Sequence, residues 1–77
     1  MGGVAHTQMP RIIWSAPGNP TKSVSDALGI ERWQLRNALH IIKEETGLSG
    51  TDRVIVWDDG TVSDTQGNPL GNVFDEI

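Results

Sequence analysis

ERWQLRNALHIIKEET, residues 31–46, is the stretch whose reading decides the fold. Wound as an α-helix at about 100° per residue, it places Leu35, Ala38, Leu39 and Ile42 on one face. The same winding gathers Arg32, Arg36, His40 and Lys43 along a neighbouring strip, with Trp33 at its edge. The chain holds six Lys and Arg and two His, so half of these side chains fall on one flank. An apolar face beside a cationic strip describes an amphipathic helix that must pack against another element.

That element has to be found further along the chain. Upstream, PRIIW at 10–14 is a short β-prone run, and SAPGNPT after it is a loop, because its prolines and glycine interrupt any regular interior. Thr21 or Ser23 caps a short helix that runs to Leu28 and closes at Gly29. Downstream, Gly47 ends the long helix and Leu48 is placed to fold back on its last turn. From Arg53 the apolar period changes from 3.6 to 2. VIVW reads as a strand, Asp58-Asp59-Gly60 as a tight hairpin turn, and TVS as the returning strand. Residues 64–69 form another turn, and LGNVF a third short strand. Alternation sets Val54 and Val56 on one face and Ile55 and Trp57 on the other. The expected fold is α+β: an N-terminal strand and two helices followed by a three-stranded antiparallel meander. It occupies residues 10–77 as a single domain, with residues 1–9 read as a flexible terminus or an artificial junction.

Seventy-seven residues stand near the lower limit at which one core holds without staples. There are no cysteines, which excludes disulfides and thiolate metal sites. No apolar run approaches the ~20 residues of a membrane-spanning helix, and the first residues lack the pattern of a signal peptide. Net charge is −4, but it is unevenly spread. Residues 1–43 carry five cations against two carboxylates, and residues 44–77 carry Arg53 against eight. A basic half suits phosphate, and it equally suits neutralising the acidic half across the fold.

Three site readings compete. The first is a nuclease centred on His40. Hydrolysis of RNA needs no metal, because the 2′-hydroxyl can attack the adjacent phosphorus. The protein supplies an acid, a base and cations for the developing charge, and histidine as a residue type titrates near neutral pH. Arg36 and Lys43 are its helical neighbours, and Thr61 and Ser63 offer hydroxyls if the sheet packs beside the helix. Arg32 and Trp33 then extend the surface toward nucleic acid, although the core is the favoured place for Trp33, as it is for Trp14 and Trp57. The bland reading makes His40 a half-exposed helix residue. The second is a winged helix-turn-helix on DNA, with Glu31, Arg32, Gln34 and Asn37 as base readers. The third is a non-catalytic domain whose acidic meander binds a basic partner. No metal site is expected: His6 stands alone near the terminus, and Asp58, Asp59 and Asp64 read as turn residues without the spacing of a calcium loop.

ALHIIKEETGL, DRVIVWDDGTVSD and the closing GNPLGNVFDEI together resemble the C-terminal ribonuclease domains of bacterial polymorphic and contact-dependent toxins. Those domains belong with the barnase, EndoU and colicin-type ribonuclease group, and the resemblance covers about residues 18–77. It implies helices before a small antiparallel sheet with the active site between them. Carried over, His40 and Lys43 are the helix residues, Arg36 supports them, and Thr61 is the strand partner. The implied activity is metal-independent cleavage of RNA, with tRNA a candidate, by 2′-hydroxyl transphosphorylation and without a cofactor. A cognate immunity protein is the implied partner. The implied place of action is the cytoplasm, reached by delivery within a longer secreted toxin.

Overall fold

In the computed structural model, which describes residues 10–77, four strands and two helices follow one another as β1 Ile12–Ala16, α1 Lys22–Leu28, α2 Arg32–Thr46, β2 Val54–Trp57, β3 Thr61–Ser63 and β4 Pro69–Asn72, and a 3₁₀ turn at Val73–Asp75 closes the chain. The expectations for residues 1–9 and His6 lie outside the described residues. The class is α+β as expected, with corrections to the sheet. Ser15 and Ala16, read as loop, continue β1, and the last strand ends at Asn72, with Val73 and Phe74 in the 3₁₀ turn. The N-terminal strand does not stand apart but adds to the meander, giving a four-stranded antiparallel sheet in the order β1-β2-β3-β4. Trp14 pairs with Val56 and Ala16 with Val54, across a register shift between Ile12 and Trp14. Arg53 locks the open end of that pair by donating from Nη1 to the Ser15 carbonyl at 3.0 Å.

The long helix forms where its period predicts. Glu31 caps its start through a reciprocal box with Gln34, whose side-chain oxygen accepts from the Glu31 N–H at 2.9 Å. At the far end Gly47 turns left-handed, and the Leu48 N–H reaches back to the Lys43 carbonyl at 2.8 Å. Leu35, Ala38, Leu39 and Ile42 are buried, with Lys43 beside them. They meet Val54, Val56, Val62 and Val73, and Val24 and Leu28 of α1 complete the core.

One close approach fixes which side of the sheet faces the helices. A Cβ placed on Gly71 would lie 3.2 Å from Cγ1 of Ile42, so this strand residue sits directly under α2. Gly71 pairs with Val62, and Val62 with Val56. Directly paired residues share a face and neighbours along a strand alternate. The valines therefore line the inner face, and Ile55, Trp57, Thr61 and Ser63 the outer one. The Trp57 Nε1–H donates to Ser63 Oγ at 2.9 Å on that outer face. Trp14 packs against the core as expected. Trp57 does not reach it, because pleat parity sends its indole outward.

Candidate functional site

α2 carries the cationic strip, and the structure divides its members. Arg32, Arg36 and His40 are exposed, whereas Lys43 is buried at 5% exposure. The difference follows from winding: Lys43 lies four residues after Leu39 and next to Ile42, at the border of the apolar face. Its stem runs along the core edge and its ammonium donates to the Gly50 carbonyl at 3.0 Å. That bond ties the end of α2 to the loop before β2. Burial lowers the Lys43 pKa from the ordinary lysine value, and the nearby Asp52 carboxylate opposes the shift.

Arg36, His40 and Lys43 line one half-open hollow of about 400 Å³. Asn37 and Glu44 of the same helix join them. Gly18 and Asn19 of the loop after β1 and Gly50 of the loop before β2 form the opposite wall. The imidazole is well exposed, and its Nε2 lies 3.4 Å from the Glu44 carboxylate. Arg32 and Arg36 have no ion-pair partner among the described residues. The hollow thus presents two cationic side chains and an imidazole, with one carboxylate beside the ring. Amide groups from Asn19 and Asn37 add neutral donors and acceptors.

The strand hydroxyls are the main correction to the sequence reading. Thr61 and Ser63 stand on the outer face of the sheet, and neither lines the hollow. Ser63 is buried and already accepts from Trp57. The opposite wall comes instead from loop residues, of which Asn19 is the polar side chain. Sequence reasoning passed over Asn19, since a loop between two prolines carries no periodic signal. Trp33 also departs from the core expectation: it is 57% exposed and lies on the outer flank of α2.

The readers proposed for DNA are differently placed. Arg32 and Asn37 are exposed, while Glu31 and Gln34 are engaged with each other in the cap. The hairpin that would serve as a wing carries exposed Asp58 and Asp59 at its tip. The acidic half of the chain sets its charge at turns. Asp52 accepts from the Ser49 N–H, Asp58 from Arg11, Asp59 from Thr61, and Asp64 from Gln66 and Asn68. These bonds hold the Asp59 and Asp64 carboxyls below the usual carboxylate range. Among the described residues no group of three His, Asp or Glu converges as a metal would require, and no helix is long and apolar enough to cross a membrane.

The buried lysine makes a measurable prediction. A folded-state pKa below the unfolded one means that the unfolded chain holds the proton more firmly. Stability therefore rises as pH climbs through the window between the two values. Wild type should gain stability over Lys43→Met when urea unfolding is compared at about pH 7.5 and then nearer the ordinary lysine range. A stability difference, wild type minus variant, that stays flat or falls as pH rises would show that Lys43 carries no desolvation cost.

No protein-family model matches this chain, and neither a curated protein nor a solved structure matches it.

Proposed function

We propose that the chain is a metal-independent endoribonuclease module of the toxin kind its sequence resembles. Its active site is the hollow of Arg36, His40 and Lys43. The observation that supports this reading is their convergence: three basic side chains, one an accessible imidazole, share a concavity with neutral amides.

RNA carries its own nucleophile, so the protein needs only to move protons and spread charge. His40 takes the proton of a ribose 2′-hydroxyl. The freed oxygen attacks the adjacent phosphorus, the bond from phosphorus to the 5′-oxygen breaks, and a 2′,3′-cyclic phosphate forms. The Glu44 carboxylate faces the imidazolium so produced. Arg36 neutralises the non-bridging oxygens as charge develops on them. The leaving 5′-oxygen takes its proton from Lys43, whose burial makes its ammonium a stronger acid than an ordinary lysine. Thr61 has no part in this scheme, and Asn19 replaces it as the group that orients the scissile nucleotide. RNA of the cytoplasm, with tRNA a candidate, is the substrate under this reading, and a cognate immunity protein its natural inhibitor.

A winged helix on DNA is less well supported. Phosphate attraction dominates nucleic-acid affinity, and a wing tipped with two aspartates opposes it. The acidic-interaction reading has only the uneven charge of the sequence behind it, and no specific observation favours it.

Incubating the purified protein with tRNA and total RNA in the presence of chelator tests the proposal. Fragments ending in a 2′,3′-cyclic phosphate and a 5′-hydroxyl are expected. Intact RNA at high enzyme concentration removes the nuclease reading.

A further inference from the structure

A second hollow, of about 240 Å³, lies on the adjoining flank of α2. Trp33, Gln34, Asn37 and Ile41 line it from the helix, and Glu76 and Ile77 from the end of the chain. Asn37 belongs to both hollows, so the two meet at one side chain. Trp33 is the most exposed of the large apolar side chains among the described residues, and Ile77 beside it is also uncovered, at 49%. With Ile41 and Ile77 in the same lining, the indole forms part of an apolar patch and presents a flat face from a helix.

We propose that this hollow is a nucleobase subsite. It takes one unstacked base of single-stranded RNA, close to the nucleotide whose phosphate lies at Arg36 and His40. The proposal rests on the nuclease reading of the first hollow and adds a preference for single strands to it. The lining favours a base over other occupants. The indole supplies a π-face, with Ile41 and Ile77 as apolar walls. Gln34 commits its side-chain oxygen to the Glu31 N–H, which leaves its amino group to donate to a base edge. Asn37 donates and accepts, and Glu76 accepts from an amino or imino group. That carboxylate would repel a phosphate seated in the same place. Phosphates instead have Arg32 and Arg36, exposed on the strip that borders Trp33 and without ion-pair partners among the described residues. Trp33 precedes His40 by two helical turns, about 10 Å along the axis and nearly in line. A strand that lays a phosphate beside the histidine thus runs past the indole.

Trp33 fills no part of the buried core, so both Trp33→Ala and Trp33→Phe should fold, with melting curves as the check. Cleavage kinetics are measured on a mixed-sequence single-stranded octaribonucleotide and on a duplex of the same length. Trp33→Ala should raise KM for the single strand about tenfold with kcat within about twofold, and Trp33→Phe should restore most of the loss. In parallel, tryptophan emission is titrated with the same octamer in the His40→Ala background, where quenching should disappear with Trp33→Ala. Unchanged KM and unchanged quenching in Trp33→Ala would overturn the subsite and leave the nuclease standing. Quenching that depends on Trp33, without cleavage by wild type, would instead overturn the nuclease and keep the base site. Absence of both removes the two together.

Discussion

Replacing His40 with alanine lowers the rate of RNA cleavage by about 10²–10⁴-fold, the range over which a positioned acid or base acts. The melting temperature stays within about 4 °C of wild type, because an exposed side chain on a helix flank contributes little to stability. The variant gives up the 3.4 Å contact between Nε2 and the Glu44 carboxylate, whose partners are both about three-quarters exposed, so water already screens it. The separation of rate from stability is what gives the experiment its force. A structural histidine would move both quantities or neither. Arg36→Ala should slow the reaction through a different route, since it removes charge from the hollow and leaves the imidazole in place. A shift of the products from cyclic to linear phosphate is not expected in either variant. Equal cleavage by wild type and His40→Ala would dismiss the imidazole and require another base for the reaction.

The helix that carries these residues was legible because its signal is local. Sixteen residues hold the 3.6 period without a glycine or proline, and Gly47 stops them. The hairpin from Val54 to Ser63 was legible for the same reason, through alternation and an Asp-Gly turn. The pairing of β1 with β2 was not, since it joins residues about forty apart and crosses a register shift at Ile13. Thr61 and Ser63 show a signal that was present and went unused. Val62 is the only apolar residue of its strand and must face the core, so the pleat turns both neighbours away from the helices. The burial of Lys43 was missed because a helical wheel shows angle and hides length. Its position at the edge of the apolar face lets a long stem lie on the core while the ammonium finds a loop carbonyl. The hollow itself was half legible: its helical wall follows from residues 36–44, and its loop wall depends on how the sheet brings Asn19 and Gly50 across.

Gly60→Ala is expected to destabilise the domain by roughly 2–5 kcal/mol, of a total near 4–12 kcal/mol for a chain of this size. Two costs meet at this turn. The backbone adopts φ +90°, which L side chains avoid at about 1–2 kcal/mol. An added Cβ would also stand 2.5 Å from Cδ2 of Phe74 and 2.7 Å from Oδ1 of Asn72. The phenyl ring is half exposed and can swing aside. The Asn72 amide cannot move freely, because its oxygen accepts from the Phe74 N–H at 2.9 Å and so caps the closing turn. Gly60 is further held on both sides: its N–H donates to the Trp57 carbonyl at 3.0 Å and its carbonyl accepts from Val73 at 2.8 Å. Val73 is fully buried against α2, so a shift at the hairpin passes directly into the core. Gly67→Ala supplies the control. Its φ of +86° is nearly the same, but nothing lies within 4 Å of the added methyl, and it should bear the backbone cost alone. Thermal unfolding of the two variants therefore isolates the steric part. Gly60→Ala should melt several degrees below Gly67→Ala, at about 4–8 °C for each kcal/mol of difference. Identical melting temperatures would mean that Phe74 and Asn72 yield without cost and that the end of the chain is not keyed to the hairpin.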